Sequence, residues 1–200
     1  MIYLYLDTET TGLNVATDHI ISFSYKMCDE DKEMEKGTIY MNPFETIDEA
    51  KDERYAKALE VNGFTPEQIM TFMPAKEGME MVAKVLQRAK YENGGYWPKV
   101  VGYNNVGYDM PIIKANAERY GIELPNIGFA HVDLLQVIWA LGAMGKLPVK
   151  EGKTLGNKLC ESVERFDIDA DATKFHGSEY DVEMTYQLYM KLKQVLKIDL

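Results

Sequence analysis

The sequence predicts a mixed α/β domain: a five-stranded sheet that combines an antiparallel hairpin with parallel strands and carries helices on both faces. Three stretches support that expectation. Ile2-Tyr3-Leu4-Tyr5-Leu6 is an unbroken apolar run of strand-forming residues, which suits a strand covered on both sides. Ile20 to Tyr25 and Thr38 to Met41 are strand-like segments separated by charged residues, the pattern of a hairpin. Residues 99–120 then run strand, turn, helix, the alternation that builds parallel pairs.

Taken in order, the first strand gives way at Gly12 to a polar loop that lasts through Asp18. In the second strand Ser22 and Ser24 alternate with Phe23 and Tyr25. Asp29 to Lys36 is expected to be a solvated charged turn, and Pro43 stops the third strand. Ile47 to Leu59 is weakly helical. Thr65-Pro66-Glu67-Gln68 is a helix start, with Thr as cap and Pro at the first position. Met79, Val82, Leu86 and Ala89 then recur at helical spacing until Asn93-Gly94-Gly95. Lys99 to Tyr103 is a fourth strand, followed by a helix led by Pro111. Phe129 to Asp133 is a fifth, followed by a helix from Leu134 to Leu141. A short helix is expected near Leu155 to Cys160. The last helix runs from Glu179 to Leu196, with Met184, Leu188, Leu192 and Val195 on its inner face.

With 200 residues and 46% hydrophobic composition, the chain suits one domain spanning residues 1–200 with a real core. No apolar run is long enough to span a bilayer. The start, Met1-Ile2-Tyr3-Leu4, lacks the basic-then-apolar layout of a signal peptide, so no membrane association is expected. Cys28 and Cys160, far apart, suit buried thiols in a reducing compartment, and the cytoplasm is the expected location. A net charge of −10 excludes a protein that coats nucleic acid by charge alone. It leaves room for an enzyme that touches a few nucleotides through metals, backbone amides and a local basic patch.

The chemistry gathers at acids. Residues two apart on a strand point to the same side, so Asp7 and Glu9 set two carboxylates together at the end of the first strand. Such a pair is costly unless a positive charge joins it, and carboxylate oxygen suits magnesium or manganese. Asp109 starts a helix after a strand, where ligands collect in open α/β sheets; alone it equally fits an acid complementing a helix dipole. His176 lies in a loop and Asp181 in the first turn of the last helix, so the two can address one spot. Ser178 equally fits a helix cap.

Three motifs then carry a likeness. Asp7-Thr8-Glu9-Thr10-Thr11-Gly12-Leu13, Tyr103-Asn104-Asn105-Val106-Gly107-Tyr108-Asp109, and His176 followed by Asp181 resemble, in order, those of the DEDDh exonucleases. This is the DnaQ-like group of the ribonuclease H-like superfamily, which includes the proofreading exonuclease of bacterial replicative polymerase, exonuclease I and oligoribonuclease. The likeness also covers Asn42-Pro43, Asn62 to Glu67 and Val132-Asp133-Leu134. Tyr103 and Asn105 depart from the commoner His and Ala, and Tyr108 from Phe.

The resemblance implies a ribonuclease H-like fold and two-metal phosphodiester hydrolysis with Mg²⁺ or Mn²⁺. Asp7, Glu9 and Asp181 would hold one cation; Asp7, with Asp109 through water, would hold the other. Two such cations about 4 Å apart stabilise the attacking and leaving oxygens. His176 would take the proton from the attacking water, a general-base role that suits a positioned imidazole. The substrate is a strand with a 3′ end, DNA before RNA, single-stranded or frayed, and a DNA polymerase is an implied partner. The backbone at Thr10 and Thr11 and the side chain of Leu13 would hold the terminal nucleotide. Tyr103, Asn104 and Tyr108 either line the strand's path, where aromatic faces stack bases, or pack in the core. Lys146, Lys150, Lys153 and Lys158 either meet phosphates or form a solvated loop. Competing readings are the same chemistry on RNA or short oligonucleotides, a catalytically silent binding module, and another metallohydrolase using His131 or His19.

Overall fold

The computed structural model describes residues 1–128 and 131–197. The strands are β1 (Ile2–Thr10), β2 (Ile20–Asp29), β3 (Lys32–Asn42), β4 (Met73–Pro74), β5 (Lys99–Gly102) and β6 (His131–Asp133). The helices are α1 (Ile47–Ala50), α2 (Glu53–Asn62), α3 (Pro66–Ile69), α4 (Ala75–Glu92), α5 (Asp109–Tyr120), α6 (Leu134–Ala143), α7 (Leu159–Arg165) and α8 (Ser178–Leu196). The strands form one sheet in the order β4-β3-β2-β1-β5-β6. β1 pairs antiparallel with β2 and parallel with β5, and β5 pairs parallel with β6. β3 pairs with β2 along its length. On its other side, among the described residues, it is paired only at Met41 and Asn42, with β4.

Alternation along β1 decides which helices cover which face. Leu4 and Leu6 pack into one cluster with Met79, Val82 and Leu86 of α4 and Ile112 and Ile113 of α5. Tyr3 and Tyr5 pack into another with Leu134 and Ile138 of α6 and Leu188, Tyr189 and Leu192 of α8. Both clusters are needed because a central strand with apolar residues on both sides must be covered twice. A smaller cluster gathers Ile21, Phe44, Tyr55, Leu59 and Ile69 beneath α1 to α3. Among the described residues no helix is long and apolar enough to cross a membrane.

The mixed α/β sheet with helices on both faces is as expected, but the described residues form six strands, not five. β4 is two residues long and too short to show any periodicity. The charged stretch from Asp29 to Lys36 is mostly strand: only Glu30 and Asp31 turn, with Glu30 at φ 52°. Its charges find partners on the sheet: Glu33 meets Lys26 of β2 at 3.2 Å and Lys36 at 3.9 Å. The helix expected from Ile47 to Leu59 is broken at Lys51-Asp52, where the Asp52 side chain accepts from the Arg54 amide and starts α2 afresh. Thr65 and Gln68 form a reciprocal capping box, yet α3 ends at Ile69 and a new helix begins at Ala75. The short helix expected near Leu155 to Cys160 lies later, at Leu159–Arg165. Val195 is half exposed and not part of the inner face of α8. Of the expected fifth strand, Phe129 and Ala130 fall outside the described residues.

Gly78 of α4 is buried where that helix crosses β3. A Cβ there would lie 2.7 Å from Met41 Cβ, an atom fixed by the strand backbone. Alanine gains about 1 kcal/mol of helix propensity over glycine, but overpacking costs about 1–3 kcal/mol. Urea denaturation of Gly78→Ala should therefore show a lower midpoint than the parent chain; an unchanged or higher midpoint would mean that α4 can retreat from the sheet freely.

Candidate active site

The site arises where β1 outlasts one of its neighbours. β5 pairs with β1 only as far as Tyr5, whereas β2 stays paired through Thr10. Asp7 and Glu9 are thus inside β1 rather than beyond its end, on the face that Tyr3 and Tyr5 turn toward α8. Asp7 stands opposite Ser24 and Glu9 opposite Ser22. Across from them, Asp181 sits in the first turn of α8. One carboxylate oxygen from each of Asp7, Glu9 and Asp181 lies within 4.8 Å of the other two. Residues from opposite ends of the chain therefore meet at one point.

Asp109 is buried at the first position of α5. Thr8, pointing away from Asp7 and Glu9, donates its hydroxyl to Asp109 Oδ1 at 2.7 Å. The charge of Asp109 still reaches Asp7 and is the largest source of repulsion on it. His176 is exposed and holds a left-handed backbone, φ 69°. Its backbone N–H donates to Asp181 Oδ2 at 3.3 Å. Asp181 Oδ1 is buried with no hydrogen-bond partner. The last helix is not capped by Ser178: Gly177 is the cap residue and makes no side-chain bond, while Ser178 is buried.

Around this core the three motif segments are stitched together. The Tyr108 hydroxyl donates to the Gly12 carbonyl (2.5 Å) and lies 2.6 Å from Thr10 Oγ1. Asn62 Nδ2 donates to the Thr10 carbonyl at 2.8 Å. Thr10 and Thr11 are buried, whereas Leu13 is 87% exposed, an apolar side chain left in solvent beside the acids' strand. Tyr103 packs against the α6–α8 cluster, and its hydroxyl donates to the Asn157 carbonyl (2.6 Å), which favours packing for this ring. Asn104 is exposed at φ 65°, and its backbone N–H is held by Asp133 Oδ1 at 2.9 Å. Asp133 also accepts from the Leu135 amide at the start of α6 and from the Val106 amide (3.3 Å). It thus fixes the loop before Asp109, a role invisible in spacing alone.

The other candidates lie elsewhere. His19 contacts Arg119 and the Tyr120 hydroxyl, and neither His19 nor His131 joins the acid cluster. In the lysine stretch, Lys150 pairs with Asp167 and Lys153 with Glu164, so two of those charges are already met within the chain. Cys28 is buried, Cys160 half-buried, and both are free thiols.

Burial holds protons on all four acids, and neighbouring carboxylates add to it at Asp7 and Glu9. Burial, then repulsion from Asp109, Glu9 and Asp181, raises Asp7 well above the usual carboxylate range. Burial, then Asp181 and Asp109, pushes Glu9 up to about 8. Burial raises Asp181 to about 7, opposed by the His176 amide, and Asp109 to about 6, opposed by the Thr8 hydroxyl. An all-oxygen donor set, mutual repulsion and an unpartnered buried oxygen on Asp181 together fit a hard divalent cation.

The family model described as Exonuclease (RNase T) matches residues 4–189, and the chain belongs to that family. It falls in the DnaQ-like group that its three motifs resemble. The PolC-type DNA polymerase III of Mycoplasma genitalium is 24% identical over 98% of this chain, which spans only 12% of that polymerase's length. The crystal structure of Escherichia coli exonuclease I with a dA16 oligonucleotide superposes with a TM-score of 0.72 at 20% identity, covering 96% of this chain and 41% of that one. The zinc-bound form of the exonuclease I–single-stranded DNA complex also gives 0.72 at 20% identity, covering 98% and 41%.

A carboxylate whose pKa is raised on folding stabilises the fold fully below its unfolded value and loses that contribution as pH climbs through the folded value. For Glu9 the window runs from 4.5 to about 8, and for Asp181 from 3.8 to about 7. Without divalent cation, the melting temperature should therefore fall between about pH 5 and pH 8. Added magnesium should restore more of it at pH 8 than at pH 6, because binding must displace fewer protons. A flat, cation-insensitive profile in differential scanning calorimetry would contradict the acid clustering.

Proposed function

We propose that the chain is a metal-dependent 3′–5′ exonuclease that releases nucleoside 5′-monophosphates from the 3′ end of DNA, single-stranded or frayed. The observation that carries the reading is the meeting of Asp7, Glu9 and Asp181 within 4.8 Å, with Asp109 near enough to repel Asp7, in a chain of the exonuclease family. DNA is favoured because the polymerase relative and the oligonucleotide-bound neighbours are DNA proteins. A DNA polymerase is the partner this reading brings with it.

Asp7, Glu9 and Asp181 would hold one Mg²⁺ or Mn²⁺, and Asp7 and Asp109 the second. When bound, such cations polarise a phosphoryl oxygen and make water more acidic. The chain's own residues do the rest. Thr8 keeps Asp109 oriented and, through its hydrogen bond, favours its ionised form. Thr10, Thr11 and Tyr108 shape the backbone against which the terminal nucleotide lies, and exposed Leu13 offers an apolar face to its base. His176 accepts a proton from the attacking water at a ring nitrogen; the new bond forms at phosphorus, the bond to the 3′-oxygen breaks, and solvent protonates that oxygen. Its place on an exposed loop beside a rigid helix lets it swing toward the acids while Asp181 stays put.

Replacing Asp7 with Ala removes the acid shared by both cation sets. Magnesium-dependent digestion of a 5′-labelled single strand should fall by roughly a thousandfold, several kcal/mol of charge stabilisation being at stake. Far-UV circular dichroism should stay unchanged; parental turnover would end the metal reading. His176→Ala should lower kcat by about a hundredfold or more, the usual reach of a general base, with strand affinity kept. A defect confined to binding would reassign the histidine.

A further inference from the structure

Three consecutive residues on one face of β2, Ser22, Ser24 and Lys26, all reach across to the start of α8. Ser178 Oγ lies 2.9 Å from Ser22 Oγ and 2.8 Å from Ser24 Oγ, and Ser24 Oγ lies 2.7 Å from Thr38 Oγ1. One turn further along α8, Lys26 Nζ donates to Glu183 Oε2 at 2.8 Å. Ser22, Ser24 and Ser178 are each at most 4% exposed, so these hydroxyls have few alternatives but one another.

The register gives this network a direction. Ser22 is the strand partner of Glu9 and Ser24 the partner of Asp7. The hydroxyl of Ser178 therefore anchors α8 to the two positions of the sheet that carry the facing acids, and Asp181 follows it by three residues. Other side chains at this helix end tie it elsewhere: the Tyr180 hydroxyl accepts from the Asp171 amide at 2.6 Å, in the preceding loop, and the cap residue Gly177 makes no side-chain bond. The large apolar anchors Leu188, Tyr189 and Leu192 lie further along α8.

We infer that Ser178 is a positioning residue: bridged to Ser22 and Ser24, it sets the distance of Asp181 from Asp7 and Glu9 and so the fit of the cation site. This rests on the metal reading above. Partners that orient ligands in this way typically change metal affinity by about 10–100-fold when removed. The test is isothermal titration of Mn²⁺ into the full chain without nucleic acid, alongside kcat and KM on a single strand. Ser178→Ala, nearly isosteric, should bind Mn²⁺ about tenfold more weakly and lose kcat while KM for the strand holds. Leu192→Ala, a cavity at the far end of the same helix, should lower the melting temperature yet leave Mn²⁺ affinity at the parental value. Parental Mn²⁺ affinity in Ser178→Ala, or an equal loss in Leu192→Ala, overturns the inference. Should Ser178→Ala not fold, Ser22→Ala, which removes one end of the bridge, takes the same comparison. A parent chain that binds no Mn²⁺ defeats the metal reading itself and this inference with it, an outcome distinct from failure of Ser178 alone.

Discussion

Carboxylates held partly out of water, with neighbouring acids adding repulsion at Asp7 and Glu9, are the constraint around which this chain is arranged. Each acid there would relax if it could move toward water. The backbone does not let it: Asp7 and Glu9 are locked by the ladder to β2, Asp109 by the start of α5 and the Thr8 hydroxyl, Asp181 by the first turn of α8. The fold holds the acids in place, and the tension is relieved either by protons or by cations. The apolar clusters on both faces of β1 supply the rigidity, since a close-packed interior yields little to electrostatic strain.

Much of this was legible from residues alone. The apolar run before Asp7 announces a strand with two covered faces, and the spacing of Asp7 and Glu9 announces a shared side; both rest on a period of two, which the sequence displays directly. What the chain hid follows from physics that needs three dimensions. The strands on either side of Glu30 looked like a solvated turn because charges read as loop, until pairing partners such as Lys26 and Glu33 are seen side by side. Ser178 looked like a cap because serine at a helix start usually is one; its use as a bridge depends on β2 lying beneath it. Asp133 gave no local sign that it holds the loop before Asp109, since its contacts span more than twenty residues. The break at Asp52 could be read locally, from an Asp cap interrupting a helical pattern, but propensity alone blurred it.

The site divides into parts with different freedom. Its acids sit on ordered secondary structure, whereas His176 and Leu13 are exposed on loops at its margin. Tyr108 joins these worlds, tying the turn after β1 to the start of α5 through the Gly12 carbonyl and the Thr10 hydroxyl. Charge is thus held on the stiff elements, and the exposed side chains at the margin are carried by loops.

The outer margin of β3 carries a further consequence. Most of that strand offers unpaired peptide groups to any passing sheet, an invitation to self-association. Its residues there run Lys32-Glu33-Met34-Glu35-Lys36, the same in either direction by charge. An antiparallel encounter of two copies centred on Met34 would set Lys32 against Lys36 and Glu33 against Glu35, like facing like along the whole contact. The palindrome of charges guards the open rim against sheet growth between molecules, and the register shift that skips Met34 in the ladder to β2 breaks the regularity of the rim at that same centre.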